Sequence, residues 1–147
     1  MTSIERSTGF LVVRTARSMK KALDTRLTEI GVTAVQYTVL NTLAQTDGLS
    51  LSEIGKRVFL DKPAITGLAD RLENDGLVER QRNSKDRRVI KLYLSPKGRR
   101  LLGRMNDIVN SVDEELTSVL SSSELGTFRE MLDRIWNNAN GRTTHDN

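Results

Sequence analysis

The chain has 147 residues, a formal net charge of +4 and 37% hydrophobic residues, the make-up of one soluble domain with a core of ordinary size. It contains no cysteine, which excludes disulfide staples, thiol catalysis and thiol redox sensing. Its one histidine, His145, lies in a polar tail, so no zinc site of cysteines and histidines is expected, and nothing in the carboxylate spacing points to a metal or cofactor. No apolar run approaches the roughly 20 residues of a membrane span. The early run Gly9-Phe10-Leu11-Val12-Val13 is cut off by Arg14 and Arg17, so neither a membrane segment nor a secretory signal is expected and the location reads as cytoplasmic.

Charge is unevenly spread. Residues 1–79 hold ten basic and ten acidic side chains, and residues 101–147 hold four basic and eight acidic. Between them, residues 80–100 carry nine cations (Arg80, Arg82, Lys85, Arg87, Arg88, Lys91, Lys97, Arg99, Arg100) against Asp86 alone. A solvated surface normally mixes signs, so this segment reads as a polyanion footprint.

In chain order, residues 4–30 form a long helix with Phe10, Leu11, Met19, Leu23, Leu27 and Ile30 at helical spacing and Gly31 as its stop. Thr33 caps a second helix, built on Val35, Val39, Leu40 and Leu43 and closing near Asp47-Gly48. Ser52 caps a short helix over 53–59. Asp61, with Pro63 in the first turn, starts another that runs to Asn74 or Asp75, buries Ile65, Leu68, Ala69 and Leu72, and stops at Gly76. Two short helices across a tight turn have the shape of a helix-turn-helix. The period then changes to two: Leu77–Arg82 and Arg88–Leu94 read as strands around the polar turn Asn83–Arg87, a wing. Ser95-Pro96 opens a long helix to about Val119, and Ser121 or Ser123 caps a last one with Leu125, Phe128, Leu132, Ile135 and Trp136 on one face. Residues 139–147 are expected to fray.

The fold class is therefore mainly α with a small β-hairpin wing, a winged helix-turn-helix within a single regulator domain, 1–147. The DNA-binding lobe is expected over 33–95, and helices 4–30 and 96–138 are left to bury their apolar faces against each other and a second copy. On the face of the recognition helix opposite its buried stripe stand Lys62, Ala64, Thr66, Gly67, Asp70 and Arg71, of which all but Asp70 are candidates for DNA contact. Thr66 suits a base edge, a thymine methyl or a phosphate, and Arg71 either reaches DNA or pairs with Asp70, Glu73 or Asp75. In the wing, Lys85, Asp86, Arg87 and Arg88 set three cations around one carboxylate. Asp86 can hold one arginine while another enters a minor groove. No acid–base pair, nucleophile or phosphate loop suggests an enzyme.

Three stretches in order, Lys62-Pro63-Ala64-Ile65-Thr66 through Leu68 to Arg80, Asp86-Arg87-Arg88, and Leu92-Tyr93-Leu94-Ser95-Pro96-Lys97-Gly98, resemble the MarR family of multiple-antibiotic-resistance-type regulators over about residues 5–140. The resemblance implies an obligate homodimer joined by its N- and C-terminal helices, on a pseudo-palindromic double-stranded operator. It implies a repressor, released by a small organic or aromatic acid bound between the dimer helices and the lobe. Phe10, Arg14, Arg17, Tyr37 and Leu40 are candidates for that effector site. Their alternative roles are core for Phe10 and Leu40, and solvated or interface positions for the arginines. Gly67 departs from the family's long polar residue there. An effector-independent activator or architectural DNA-binding protein, and a winged-helix protein-interaction module, are the competing readings.

Overall fold

In a computed structural model of the chain, which describes residues 3–142, two compact units are seen, Met1–Asn110 and Ser111–Asn147. The first helix, α1 (Thr8–Thr28), begins later than the periodicity suggests. Ser7 is extended, with its hydroxyl accepting the Phe10 amide, and residues Ile4–Arg6 form a separate 3-10 turn. Gly31 closes the helix end with φ of 77°, a conformation open to glycine, while the Val32 amide returns to the Leu27 carbonyl. Helix α2 (Ala34–Gln45) starts in a reciprocal capping box of Thr33 and Gln36. Asp24 adds a tie from α1: its Oδ1 accepts the Ala34 amide at 2.6 Å, and its Oδ2 accepts Lys20 Nζ at 2.9 Å. Burial pushes the Asp24 carboxyl up, but the amide and Lys20 outweigh it and hold the group below the ordinary carboxylate range.

The wing is more than a hairpin. A two-residue strand, β1 (Leu49–Ser50), pairs with β3 (Ile90–Leu94), which pairs in turn with β2 (Val78–Arg82), giving an antiparallel sheet in the order β1-β3-β2. Two residues are too few to show a period, so no sequence pattern announces β1. The same short strand moves the next cap. Helix α3 (Leu51–Val58) is capped by Ser50, not Ser52, with Ser50 Oγ accepting the Glu53 amide at 3.1 Å.

Helix α4 (Lys62–Asn74) is capped by Asp61 and buries Ile65, Leu68, Ala69 and Leu72, as its pattern predicts. Gly76 follows at φ of 73°. Ser95 then joins three elements: its hydroxyl donates to the Gly76 carbonyl at 2.6 Å and accepts the Gly98 amide at 2.9 Å, capping α5 (Pro96–Thr117). A Cβ at Gly98 would lie 2.2 Å from the Leu77 carbonyl oxygen, so the close approach of α5 to the strand entry requires glycine there. Leu27, Leu40, Leu43, Ile54, Leu72, Leu92 and Met105 form the centre of one core drawn from α1 to α5.

In the second unit, α6 (Ser122–Arg142) is capped by Ser121 rather than Ser123, with Glu124 returning the bond. It stays helical through residues 139–142, where fraying is expected from composition; His145 lies outside the described residues. Arg129 pairs with Asp113 at 2.9 Å. Phe128, Met131, Leu132, Ile135 and Trp136 remain 37–54% exposed on α6.

Candidate nucleic-acid interface

With about 100° of turn per residue, the buried arc of α4 sorts its other side chains into three sets. Pro63, Gly67, Asp70 and Asn74 point outward. Lys62, Thr66 and Glu73 lie on the flank nearer the wing, and Ala64 and Arg71 on the flank nearer α1. Grooves on both sides of the helix follow this division.

The wing-side groove, of about 650 Å³, runs between α3, α4 and the start of β3. Lys56, Lys62 and Arg88 supply three cations to its lining, Thr66, Ser50 and Ser52 supply hydroxyls, and no carboxylate lines it. Its floor includes Leu51, Leu60, Ile65 and Ile90. The groove on the other flank, of about 470 Å³, brings Arg71, Ala64 and Leu68 opposite Lys20, Asp24 and Thr28 of α1.

The wing loop is built by short local bonds. Asn83 Oδ1 accepts the Lys85 amide at 2.9 Å, and Asp86 Oδ1 accepts both the Arg88 amide at 3.0 Å and its Nε at 3.2 Å. Arg82 Nη1 donates to the Arg87 carbonyl at 3.0 Å. Arg88 is nevertheless 92% exposed, so Asp86 aims the arginine without covering it. Lys85 and Arg87 are exposed beside it.

The basic segment does not act as one surface. Arg80 turns toward α4 and pairs with Asp70 and Glu73. Lys97 donates to the Asp75 carbonyl at 2.8 Å, at the C-terminal end of α4, and Arg99 pairs with Asp47 at 3.0 Å. Asp47 also accepts the Leu94 amide through its other oxygen. These three cations brace the lobe. Arg80 takes Asp70 and Glu73, and no ion pair of Arg71 is seen among the described residues. Lys56, absent from the sequence-derived site, joins the groove because α3 lays its last turn beside α4. Its only sequence signal is a cation on the polar side of a short helix. At Gly67 an added Cβ meets nothing within 4 Å, so no contact inside the chain requires glycine.

The five effector candidates do not share one environment. Leu40 is fully buried in the core, and Tyr37 donates its hydroxyl to Asn106 Oδ1 at 2.9 Å, with burial raising its pKa. Phe10, Arg14 and Arg17 are exposed on α1, and none of the five lines either groove. Among the described residues no group of three or more histidines, cysteines and carboxylates is placed to hold a metal ion, and no helix is long and apolar enough to cross a membrane.

Residues 32–90, from just before α2 to the start of β3, match the model of the MarR family. This chain belongs to the MarR family. It is 37% identical over 110 residues to the HTH-type transcriptional regulator TtmR of Methylorubrum extorquens, a match that covers 75% of this chain and 56% of TtmR. The chain thus spans little more than half the length of that curated relative. Among solved structures, it is similar to the PcaV regulator of Streptomyces coelicolor in complex with its natural ligand. The TM-score is 0.82 at 27% identity, covering 95% of this chain and 98% of PcaV. It is also similar to a cysteine-to-serine mutant of MarR from E. coli complexed with operator DNA, with a TM-score of 0.82 at 25% identity over 92% of this chain and 99% of that one. The mainly helical winged helix-turn-helix expected from the sequence is the MarR-family architecture.

Proposed function

We propose that the protein is a sequence-specific, double-stranded DNA-binding transcription regulator that acts as a homodimeric repressor released by a small organic or aromatic acid. The observation that carries the DNA-binding reading is the wing-side groove. Three cations and three hydroxyls flank the recognition helix there, with no carboxylate among them. In this reading α4 enters a major groove and uses Thr66 on a base edge and Lys62 and Arg71 on phosphates or guanine. Ala64 and Gly67 let the helix backbone approach closely. Arg88, aimed by Asp86 and flanked by Lys85 and Arg87, enters the adjacent minor groove. The relative solved with operator DNA supports this assignment.

A second copy supplies the partner for α6, whose apolar stripe of Phe128, Met131, Leu132 and Ile135 is exposed. Two lobes at a fixed separation then read two half-sites about one helical turn or a multiple apart. An acidic effector suits Arg14 and Arg17, three residues apart and exposed on α1 with Phe10, while Tyr37 and Leu40 of α2 complete the expected set; the relative solved with its natural ligand supports a ligand-responsive reading. The engaged Tyr37 hydroxyl and the buried Leu40 favour the second reading, a DNA-binding protein without a small effector.

The test is binding to the duplex immediately upstream of the protein's own coding sequence, titrated across salt concentrations. Tight binding that falls steeply with salt is expected, with Arg88→Ala lowering the salt slope by about one. Salt-indifferent or absent binding to this duplex and to a random-sequence pool overturns the reading. Aromatic carboxylic acids added to the same titration separate the two readings, because only an effector-responsive repressor loses affinity.

A further inference from the structure

Taken alone, the recognition helix is electrically neutral. Across α4, Lys62 and Arg71 are balanced by Asp70 and Glu73. Asp70 follows Thr66 by four residues and Glu73 follows it by seven, so both carboxylates share the side of the helix that carries Thr66. Their side chains are 59% and 44% exposed. Two exposed carboxylates on a helix that faces phosphates oppose binding, because like charges brought together across an interface cost affinity.

Arg80 answers both. From β2 its Nη2 bonds Asp70 Oδ1, and its Nε lies 3.6 Å from Glu73 Oε1. The Arg80 side chain is only 21% exposed, and its Nε is buried without a hydrogen-bond partner. Charge therefore holds this side of the guanidinium against Glu73, without a completed second hydrogen bond. Asp70 faces outward and Glu73 lies on the wing-side flank, both more exposed than the arginine that pairs with them, so Arg80 is poorly placed for a phosphate of its own.

We propose that Arg80 is a positioning residue that enables DNA binding by neutralising the two carboxylates on the exposed side of the recognition helix. This rests on the DNA-binding reading above. Arg80 acts through Asp70 and Glu73, tipping the helix face from neutral to net positive without itself contacting the nucleic acid.

The experiment uses a duplex selected by the wild-type protein from a random-sequence pool. Failure to select any sequence refutes the DNA-binding reading and this proposal with it. With a selected duplex in hand, Arg80→Gln is expected to weaken binding by about tenfold at low salt, with a smaller deficit at higher salt as the repulsion is screened. Adding Asp70→Asn and Glu73→Gln to that variant restores most of the affinity. Arg80→Lys, which keeps the charge, retains most of it. Circular dichroism and thermal melting confirm that each variant is folded. Unchanged binding by folded Arg80→Gln overturns the proposal, as does a triple variant that stays as weak as Arg80→Gln, the result expected of a phosphate contact or a purely mechanical brace. Asp70→Asn with Glu73→Gln beside an intact Arg80 is an independent check should Arg80→Gln fail to fold. It is expected to bind at least as well as wild type, and a marked loss would make the carboxylates direct base readers and overturn the proposal.

Discussion

The winged lobe and the terminal helix use apolar residues in opposite ways. In the lobe, Leu40, Leu43, Ile54, Leu72 and Leu92 are all fully buried within one chain. On α6, Met131, Ile135 and Trp136 have a similar helical spacing yet remain half exposed. The first region completes its core within one chain, together with Leu27 of α1 and Met105 of α5. The second presents a surface whose burial depends on what covers it. A hydrophobic stripe thus marks a face for burial without saying whether the cover lies within the chain.

The largest expected effect tests the self-sufficient core. Leu72→Ala removes a fully buried side chain and is expected to cost about 3 kcal/mol in urea denaturation. The contrast sharpens on α6. On the proposed homodimer, Met131→Lys with Ile135→Lys is expected to weaken self-association about a hundredfold by analytical ultracentrifugation, since two charges would enter the interface proposed for α6. The lobe should keep its fold in this variant; loss of lobe structure would mean that the lobe is not self-sufficient.

A smaller effect tests the brace between α1 and the lobe. Asp24→Asn loses a charge-assisted bond to the Ala34 amide and is expected to cost about 1 kcal/mol. The folded-state pKa of Asp24 is depressed, so its contribution is full above the ordinary carboxylate range and is lost as pH falls through the depressed value. Denaturation followed from neutral to acid pH should therefore decline less steeply in Asp24→Asn. The smallest expected effect concerns Gly67. Since nothing lies where its Cβ would be, Gly67→Ala should stabilise the free protein by somewhat less than about 1 kcal/mol. A fall in DNA affinity in that same variant would assign the glycine to close backbone approach.

Several helix boundaries were legible because the residues that set them act within a few positions of the chain. Thr33 and Asp61 cap α2 and α4 because a short oxygen-bearing side chain reaches an amide three residues on, and Gly31 and Gly76 stop helices because their φ is positive. The Asp86–Arg88 pair is local in the same sense. Ser50 was harder to see: its role as a cap becomes plain only once Leu49–Ser50 pairs with Leu92 and Lys91. In the site, composition marked the segment 80–100 as basic but did not divide it. Arg80, Lys97 and Arg99 turn inward because Asp70, the Asp75 carbonyl and Asp47 lie beside them in space, 10 to 52 residues away in sequence.

By itself, the sequence determined the order of the helices and of the wing hairpin, the caps Thr33 and Asp61, the stops Gly31 and Gly76, the apolar stripe of each helix and the placing of a cationic loop after two short helices. All of these rest on interactions within a few residues, where spacing alone decides which groups meet. Tertiary structure decided the third strand, the burial of Leu40, the engagement of the Tyr37 hydroxyl and the partner of every long-range cation. The physical reason is range: a charge or an apolar face is written in the chain, but which opposite charge or surface meets it depends on how distant segments pack.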